Sequence, residues 1–276
     1  MSSHPAIFSR TELMLGSRTL DAISGARVAI FGLGGVGSWC AESLARTGVG
    51  RLMLVDSDRV GVTNVNRQLM ATTGTVGQLK VDVLAARFRE INPAVELDVR
   101  PAVYCAATAS GFDLSEWDYV VDAIDSLENK ALLIRNALSI PSVTLFASMG
   151  AALKMDPFQI RHSEFSKVEG DPLARALRQK LRRTGGIPER PFECVWSPER
   201  RENLGNAASV DGAGQGANVA GQGSPAPAGL GWDSLKARIN GTVAHTTAAF
   251  GFALAALVVS DIERHVGQAS VQRADS

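Results

Sequence analysis

The chain has 276 residues, 45% of them hydrophobic, and its 28 basic and 28 acidic side chains cancel to a formal net charge of zero. That length allows one large core, and the neutral balance excludes bulk attraction to nucleic acid or to a membrane, so a polyanionic partner must be met by a local patch. Three cysteines, Cys40, Cys105 and Cys194, are too few and too scattered for a disulfide framework, and with no CxxC pair a structural zinc site is not expected.

The N-terminal stretch MSSHPAIFSRTELMLG lacks an apolar signal core, so export is not expected and the chain reads as cytoplasmic. Residues 28–31 then read as a short buried strand, Gly32-Leu33-Gly34-Gly35-Val36-Gly37 as a tight turn, residues 38–46 as a helix and residues 52–55 as a second strand. In such a βαβ unit the glycines let the backbone approach a phosphate, and the free N–H groups at the helix start favour negative charge. Asp56 ends the second strand about twenty residues after the loop, where a carboxylate binds ribose hydroxyls. Up to this point a dinucleotide and a nucleoside triphosphate are served equally well.

A polar segment over residues 57–75 precedes a predicted helix over 76–91, which stops at Asn92-Pro93. Strands are expected at 96–99, 117–123 and 142–146, with a helix at 128–138 before the last of these. This alternation predicts an α/β fold with a Rossmann-like, doubly wound, mainly parallel sheet. After about residue 150 the pattern changes. PFQIRHSEF alternates, with Phe158, Ile160 and His162 expected on one face of an antiparallel strand that extends the sheet. Asp171-Pro172 supplies an N-cap and a first-turn proline for the helix LARALRQKLRR. The Gly-, Ala- and Ser-rich stretch 203–231 is expected to be a mobile loop. Residues 243–262 form an apolar run that reads as a core or subunit-interface helix rather than a membrane span, since His245, Thr246 and Thr247 interrupt it. The expected organisation is therefore a nucleotide-binding region, 1–150, with 151–276 as a C-terminal extension of the same domain.

The polar residues past the second strand favour a triphosphate. Asp58, Asn66, Arg67 and Gln68 are followed by Lys80, and an arginine fork with a lysine point charge suits phosphate. In VVDAIDS, Asp122 and Asp125 fall beyond a buried strand, at the carboxyl edge where such sheets bind ligands. A carboxylate facing phosphates is a natural magnesium ligand. For Asp122, capping of a backbone turn and direct metal contact both remain open. Cys105 reads as a small core residue, Cys194 as either an inert buried thiol or a redox or acyl-accepting group, and His245 as a satisfied core residue.

Together, Gly32, Gly34, Gly35 and Gly37, Asp56-x-Asp58, Asn66-Arg67-Gln68, Lys80 and Asp122-Ala-Ile-Asp125 resemble the ubiquitin-activating-like superfamily of ThiF, MoeB and HesA. The resemblance implies an enzyme that adenylates a carboxylate with ATP and magnesium. By motif, Asp56 would bind the ribose, Arg67 and Lys80 the phosphates, and Asp125 the magnesium, with Asn66 and Gln68 orienting the neighbouring groups. Arg10 in FSRTELMLG matches an arginine that in this superfamily reaches into the partner's ATP site, which implies a homodimer.

RTGVGRLMLVDSDRVGVTNVNRQ, DAIDSLENKALLI with Lys130, DPLARALRQKLR, ECVWSPE and AAFGFALA are similar in particular to the enzymes that dehydrate threonylcarbamoyladenosine in tRNA. That likeness implies a tRNA substrate, with sulfur-transfer proteins as further partners. The alternative, adenylation of a sulfur-carrier or ubiquitin-like C-terminus, is weakened by the missing CxxC pairs, and an NAD-dependent oxidoreductase by Arg67, Lys80 and Asp125. Arg175, Arg178 and Arg182 fall on one face of the basic helix, with Lys180 and Arg183 beside them, and form the leading candidate for tRNA phosphate contact.

Overall fold

The computed structural model describes residues 4–205 and 240–274, so the stretch read as a mobile loop lies outside the described residues from 206 onward. Two short helices, α1 (Ser9–Leu15) and α2 (Ser17–Gly25), lead into β1 (Arg27–Phe31). There follow α3 (Gly37–Thr47), β2 (Arg51–Val55), α4 (Lys80–Ile91), β3 (Glu96–Arg100), β4 (Tyr119–Asp122), α5 (Leu127–Leu138) and β5 (Thr144–Ser148). Beyond these come β6 (Arg161–Glu164), α6 (Pro172–Arg183), β7 (Glu193–Trp196) and the long α7 (Ala244–Ala274). The strands form one sheet in the order β3-β2-β1-β4-β5-β7-β6. All neighbours run parallel except β6 and β7, which pair antiparallel as Arg161 with Trp196 and Glu164 with Glu193.

Successive side chains along a strand face opposite ways. Val28, Ile30, Leu52, Leu54 and Val121 pack under α3, α4 and α7. Ala29, Phe31, Met53, Val55 and Val120 pack against α5 and α6 on the other face. Both faces are covered, as a parallel sheet requires, and this explains why these strands read as unbroken apolar runs. At the C-terminus of α3, Gly48 turns the chain at a φ of 106°, a conformation costly for any residue with a Cβ. Asp171 accepts a hydrogen bond from Ala174 N and caps α6 as expected.

α7 is long and apolar enough to cross a bilayer over Ala244–Ala269 by length and composition, yet its line Phe250, Leu254, Val258 and Ile262 is buried in the core beside α3. A Cβ at Gly251 would collide with Val36 O and Trp39, so the glycine sets the close approach of the two helices. Beyond its midpoint, α7 is tied to β4 by Tyr119 Oη, which donates to Asp261 Oδ2 at 3.0 Å.

Several expectations need correction. α4 starts at Lys80, not at residue 76, because Gly77 takes a φ of 89° and Lys80 N donates to Asp58 O, which hooks the preceding segment back onto the exit of β2. Phe158 does not share a strand face with Ile160 and His162: it sits in a 3-10 turn capped by Asp156 and is 95% exposed. His245 is exposed, not a core residue, and its Nε2 donates to Met155 O. Cys105 is half-buried in a turn with Thr108 rather than in the core. Strand β7 and helices α1 and α2 were not expected from the sequence.

Candidate active site

The exits of β1, β2 and β4 meet at the carboxyl edge of the sheet. At Gly32, φ is 86° and an added Cβ would lie 2.7 Å from Ala123 O, so the first glycine is fixed by the neighbouring strand's exit. A Cβ at Gly37 would run into Gly32 O, and one at Gly35 would press on Thr247 of α7 at 3.2 Å. Gly34 is different: within 4 Å its added Cβ would meet only Gln68 Nε2, at 3.8 Å. That opening leaves backbone at the start of α3 approachable by a ligand, where helix N–H groups favour an anion.

Asp56 anchors the loop. Its Oδ2 accepts from Leu33 N at 2.7 Å and its Oδ1 from Asp58 N at 2.8 Å. Burial raises its pKa, against the pull of Lys80 and of these two N–H groups. A carboxylate has about four lone-pair sites, so two accepted bonds leave capacity for a ribose hydroxyl. Lys80 is enclosed, with Nζ 2.8 Å from Asp58 Oδ2 and 3.9 Å from Asp56 Oδ1. Arg67 is held by its own loop: Nη1 donates to Thr63 O and to Asn66 Oδ1. Burial lowers its pKa, and the negative charge of Asp125, which follows β4, opposes that shift. Gln68 is buried beside Gly34, with Oε1 lacking a hydrogen-bond partner.

Other residues that hold this edge escaped the sequence reading. Ser38, buried in the first turn of α3, donates to Gly34 O and accepts from Leu69 N. Trp39 Nε1 donates to Arg67 O and pins the arginine's segment to α3. Residues 241–245 bridge two strand exits: Asn66 Nδ2 donates to Thr242 O on one side, and Leu153 N donates to Gly241 O on the other. A small polar residue directly after a glycine turn was the available signal for Ser38; the other contacts span the whole chain.

Asp122 resolves to the capping alternative. It is fully enclosed at the end of β4, and its Oδ1 accepts from Ile124 N at 3.0 Å. Arg10 does not reach this site within the chain: two residues earlier, Phe8 lies against Gly48 at the opposite end of α3 from the glycine loop. Eleven residues of helix separate those ends, about 16 Å at 1.5 Å per residue. Cys194 is buried on β7, where desolvation pushes its thiol well above the usual value and removes the reactive thiolate. The basic helix divides. Arg178 donates to Phe165 O and Val168 O and stacks 5.0 Å over the Phe165 ring, and Lys180 pairs with Glu128, whereas Arg175 and Arg182 are exposed. Arg178 is therefore a structural clamp and leaves the group expected to contact phosphate. Among the described residues, no three His, Cys, Asp or Glu side chains gather to hold a metal by themselves.

A glycine turn with its backbone open at Gly34, at the carboxyl edge of a doubly wound parallel sheet, places the chain in the class of nucleotide-binding α/β proteins. Residues 8–269 match the ThiF family. A tRNA threonylcarbamoyladenosine dehydratase of Bacillus subtilis (strain 168) is 46% identical over 178 residues, which is 64% of this chain and 70% of the relative. The enzyme of that name from Escherichia coli (strain K12) is 39% identical over 70% of this chain and 73% of its own. A crystal structure of the E. coli protein, TcdA in complex with ATP, matches with a TM-score of 0.75 at 31% identity, covering 95% of each chain. The chain belongs to the ThiF family, on its tRNA threonylcarbamoyladenosine dehydratase branch.

Proposed function

We propose that this chain dehydrates N6-threonylcarbamoyladenosine in tRNA, using ATP and proceeding through an acyl-adenylate. The observation that carries the reading is the backbone left open at Gly34, beside Leu33 whose N–H is held by Asp56 with Lys80 Nζ 3.9 Å from that carboxylate, in a chain that aligns over 95% of its length with an ATP-bound relative. The threonyl carboxylate attacks the α-phosphorus of ATP and pyrophosphate leaves. The carbamoyl group of the same nucleoside then attacks the acyl carbon, AMP leaves with the former carboxylate oxygen, and a proton passes to solvent. Because the second step is intramolecular, proximity replaces a nucleophilic cysteine, in keeping with the buried state of Cys194.

The roles of the residues follow their placement. Asp56 binds the ribose while holding the glycine loop, and Asn66 and Gln68 orient the adjoining segments. Lys80 and Arg67 stabilise the charge that shifts on the phosphates, and they are preorganised for this by Asp58, Asn66 and Trp39. A single carboxylate facing phosphates fits magnesium, which takes one or two protein carboxylates beside phosphate oxygens. Asp125 would hold it, and the ion would neutralise pyrophosphate as it leaves. In this reading residues 1–150 carry the adenylation chemistry, residues 151–276 are a C-terminal extension of the same domain, and the enzyme works in the cytoplasm.

The site is completed across a homodimer. Ile7, Leu13 and Met14 are 56%, 85% and 84% exposed in the segment that carries Arg10, an apolar surface suited to a second copy. Pyrophosphate release should rise with tRNA bearing the modified nucleoside and not with a small carrier protein; the reverse would assign the enzyme to sulfur-carrier activation and its sulfur-transfer partners. Mixing inactive Arg10→Ala and Lys80→Ala subunits should restore on the order of a quarter of parental activity, since half of the dimers then hold one intact site. No recovery after demonstrated subunit exchange would remove Arg10 from the site.

A further inference from the structure

The four residues that carry Asp125 from β4 to α5, Ala123 to Ser126, are closed at their base by a buried charge pair. Lys130, one turn into α5, reaches back past the loop so that Nζ stands 2.8 Å from Asp122 Oδ2 and 3.5 Å from Asp122 O, with both side chains fully enclosed. Asp122 divides its two oxygens. Oδ1 accepts from Ile124 N, in the middle of the loop, while Oδ2 faces the ammonium off the line that a hydrogen bond needs. The next peptide also touches the other wall of the site, because Ala123 O is the atom that forbids a side chain at Gly32. One side chain therefore sets the direction of the chain leading to Asp125 and of the peptide on which the glycine loop rests.

A buried ion pair is weak evidence for stability, since apolar residues of the same volume often serve a fold as well or better. Its value here is geometric: a carboxylate fixed by an enclosed cation cannot rotate away from Ile124. We propose that Asp122 and Lys130 are positioning residues that hold the Asp125 loop ready for the metal-bound triphosphate before it arrives. This inference rests on the reading of the site as an ATP site, with Asp125 as its magnesium ligand.

Two double variants separate the charges from the loop contact. Asp122→Asn with Lys130→Met removes both charges but keeps an oxygen for Ile124 N, and Asp122→Leu with Lys130→Met removes that oxygen too. Each is read by its melting temperature and by calorimetric affinity for ATP with and without magnesium. Both should melt within about 5 °C of the parent. The Asn variant should keep the magnesium-dependent gain in ATP affinity to within about threefold, and the Leu variant should lose about tenfold or more of it. A Leu variant that keeps the gain, or equal losses in the two, overturns the proposal. If the Leu variant does not fold, hydrogen exchange reads the same point in the parent. MgATP should slow the amides of residues 124–126 by no more than about threefold, because the loop is already held, and ordering beyond about tenfold overturns the inference. A parent that binds no ATP defeats the proposed function itself, an outcome distinct from all of these.

Discussion

Two aspartate–lysine pairs flank the glycine loop, each with 2.8 Å between nitrogen and oxygen, and they differ in what surrounds them. At Asp122–Lys130 neither side chain has any exposed surface. At Asp58–Lys80 the lysine is enclosed but the carboxylate is 66% exposed. Water stabilises a lone Asp58 and cannot reach a lone Asp122. The first pair is thus a fixed strut, and in the second, on the function proposed above, the lysine would exchange the carboxylate for a phosphate oxygen while its stem stays packed.

The most severe way to break this contrast is to remove the lysines. Lys130→Ala leaves Asp122 enclosed without its cation, so that the carboxyl, whose pKa burial already raises, is either an uncompensated charge or must take up a proton, and unfolding free energy should fall by about 3–5 kcal/mol. Lys80→Ala should cost about 1 kcal/mol, because Asp58 rehydrates, while pyrophosphate release falls about 10²- to 10³-fold for want of phosphate stabilisation. Urea denaturation and turnover on modified tRNA check both halves. Equal stability losses would abolish the distinction between strut and exchangeable contact.

Glu42 extends the comparison to an enclosed carboxylate with two partners. Burial raises its pKa, but bonds from Arg87 and Arg46 outweigh this and leave the folded value below 4.5. A carboxyl with a depressed folded pKa contributes stability above its unfolded pKa and loses it as pH falls through the folded one. Glu42→Gln should therefore lower the melting temperature at pH 7, and the difference should shrink as the pH falls below 4.5 through the folded value. A constant difference from pH 7 to pH 3 would show that packing, not charge, is what Glu42 supplies.

The smallest effects are expected on α6, where Arg178 is committed and Arg175 and Arg182 are open. Arg178→Gln should destabilise, since the carbonyls of Phe165 and Val168 lose their donor, while the salt dependence of tRNA binding stays as it was. Replacing Arg175 and Arg182 by Gln should leave stability within about 0.5 kcal/mol and flatten the log–log salt slope by roughly 0.7–0.9 per lost phosphate contact. An unchanged slope would mean that α6 presents only a solvated face to water.

The parallel sheet was legible because its signals are local. Apolar runs at β1, β2 and β4, the glycine turn, and Asp171-Pro172 each announce themselves within a few residues. Strand β7 was missed because four residues, Glu193–Trp196, show no period and are strand only by lying between β5 and β6. The late start of α4 was hidden for a related reason: Gly77 and the pairing of Arg59 with Leu79 override helix propensity through contacts with the exit of β2. Within the site, residue types suited to phosphate could be picked out from the chain, but their burial could not. Arg175, Arg178 and Arg182 look equivalent on a helical wheel, and only the carbonyls above Arg178 distinguish it.

The seating of α7 on the glycine loop also bears on the order of assembly during synthesis. Gly35 packs against Thr247, Gly251 against Val36, and Asn66 against Thr242, so the first loop to leave the ribosome is finished by a segment made some two hundred residues later. At about 5–20 residues per second, that interval leaves one face of α3 uncovered for roughly ten seconds or more, the last few of them with the whole sheet already translated. Nucleotide affinity should accordingly appear late, and a ribosome-bound chain stalled before α7 would be the form most in need of a chaperone.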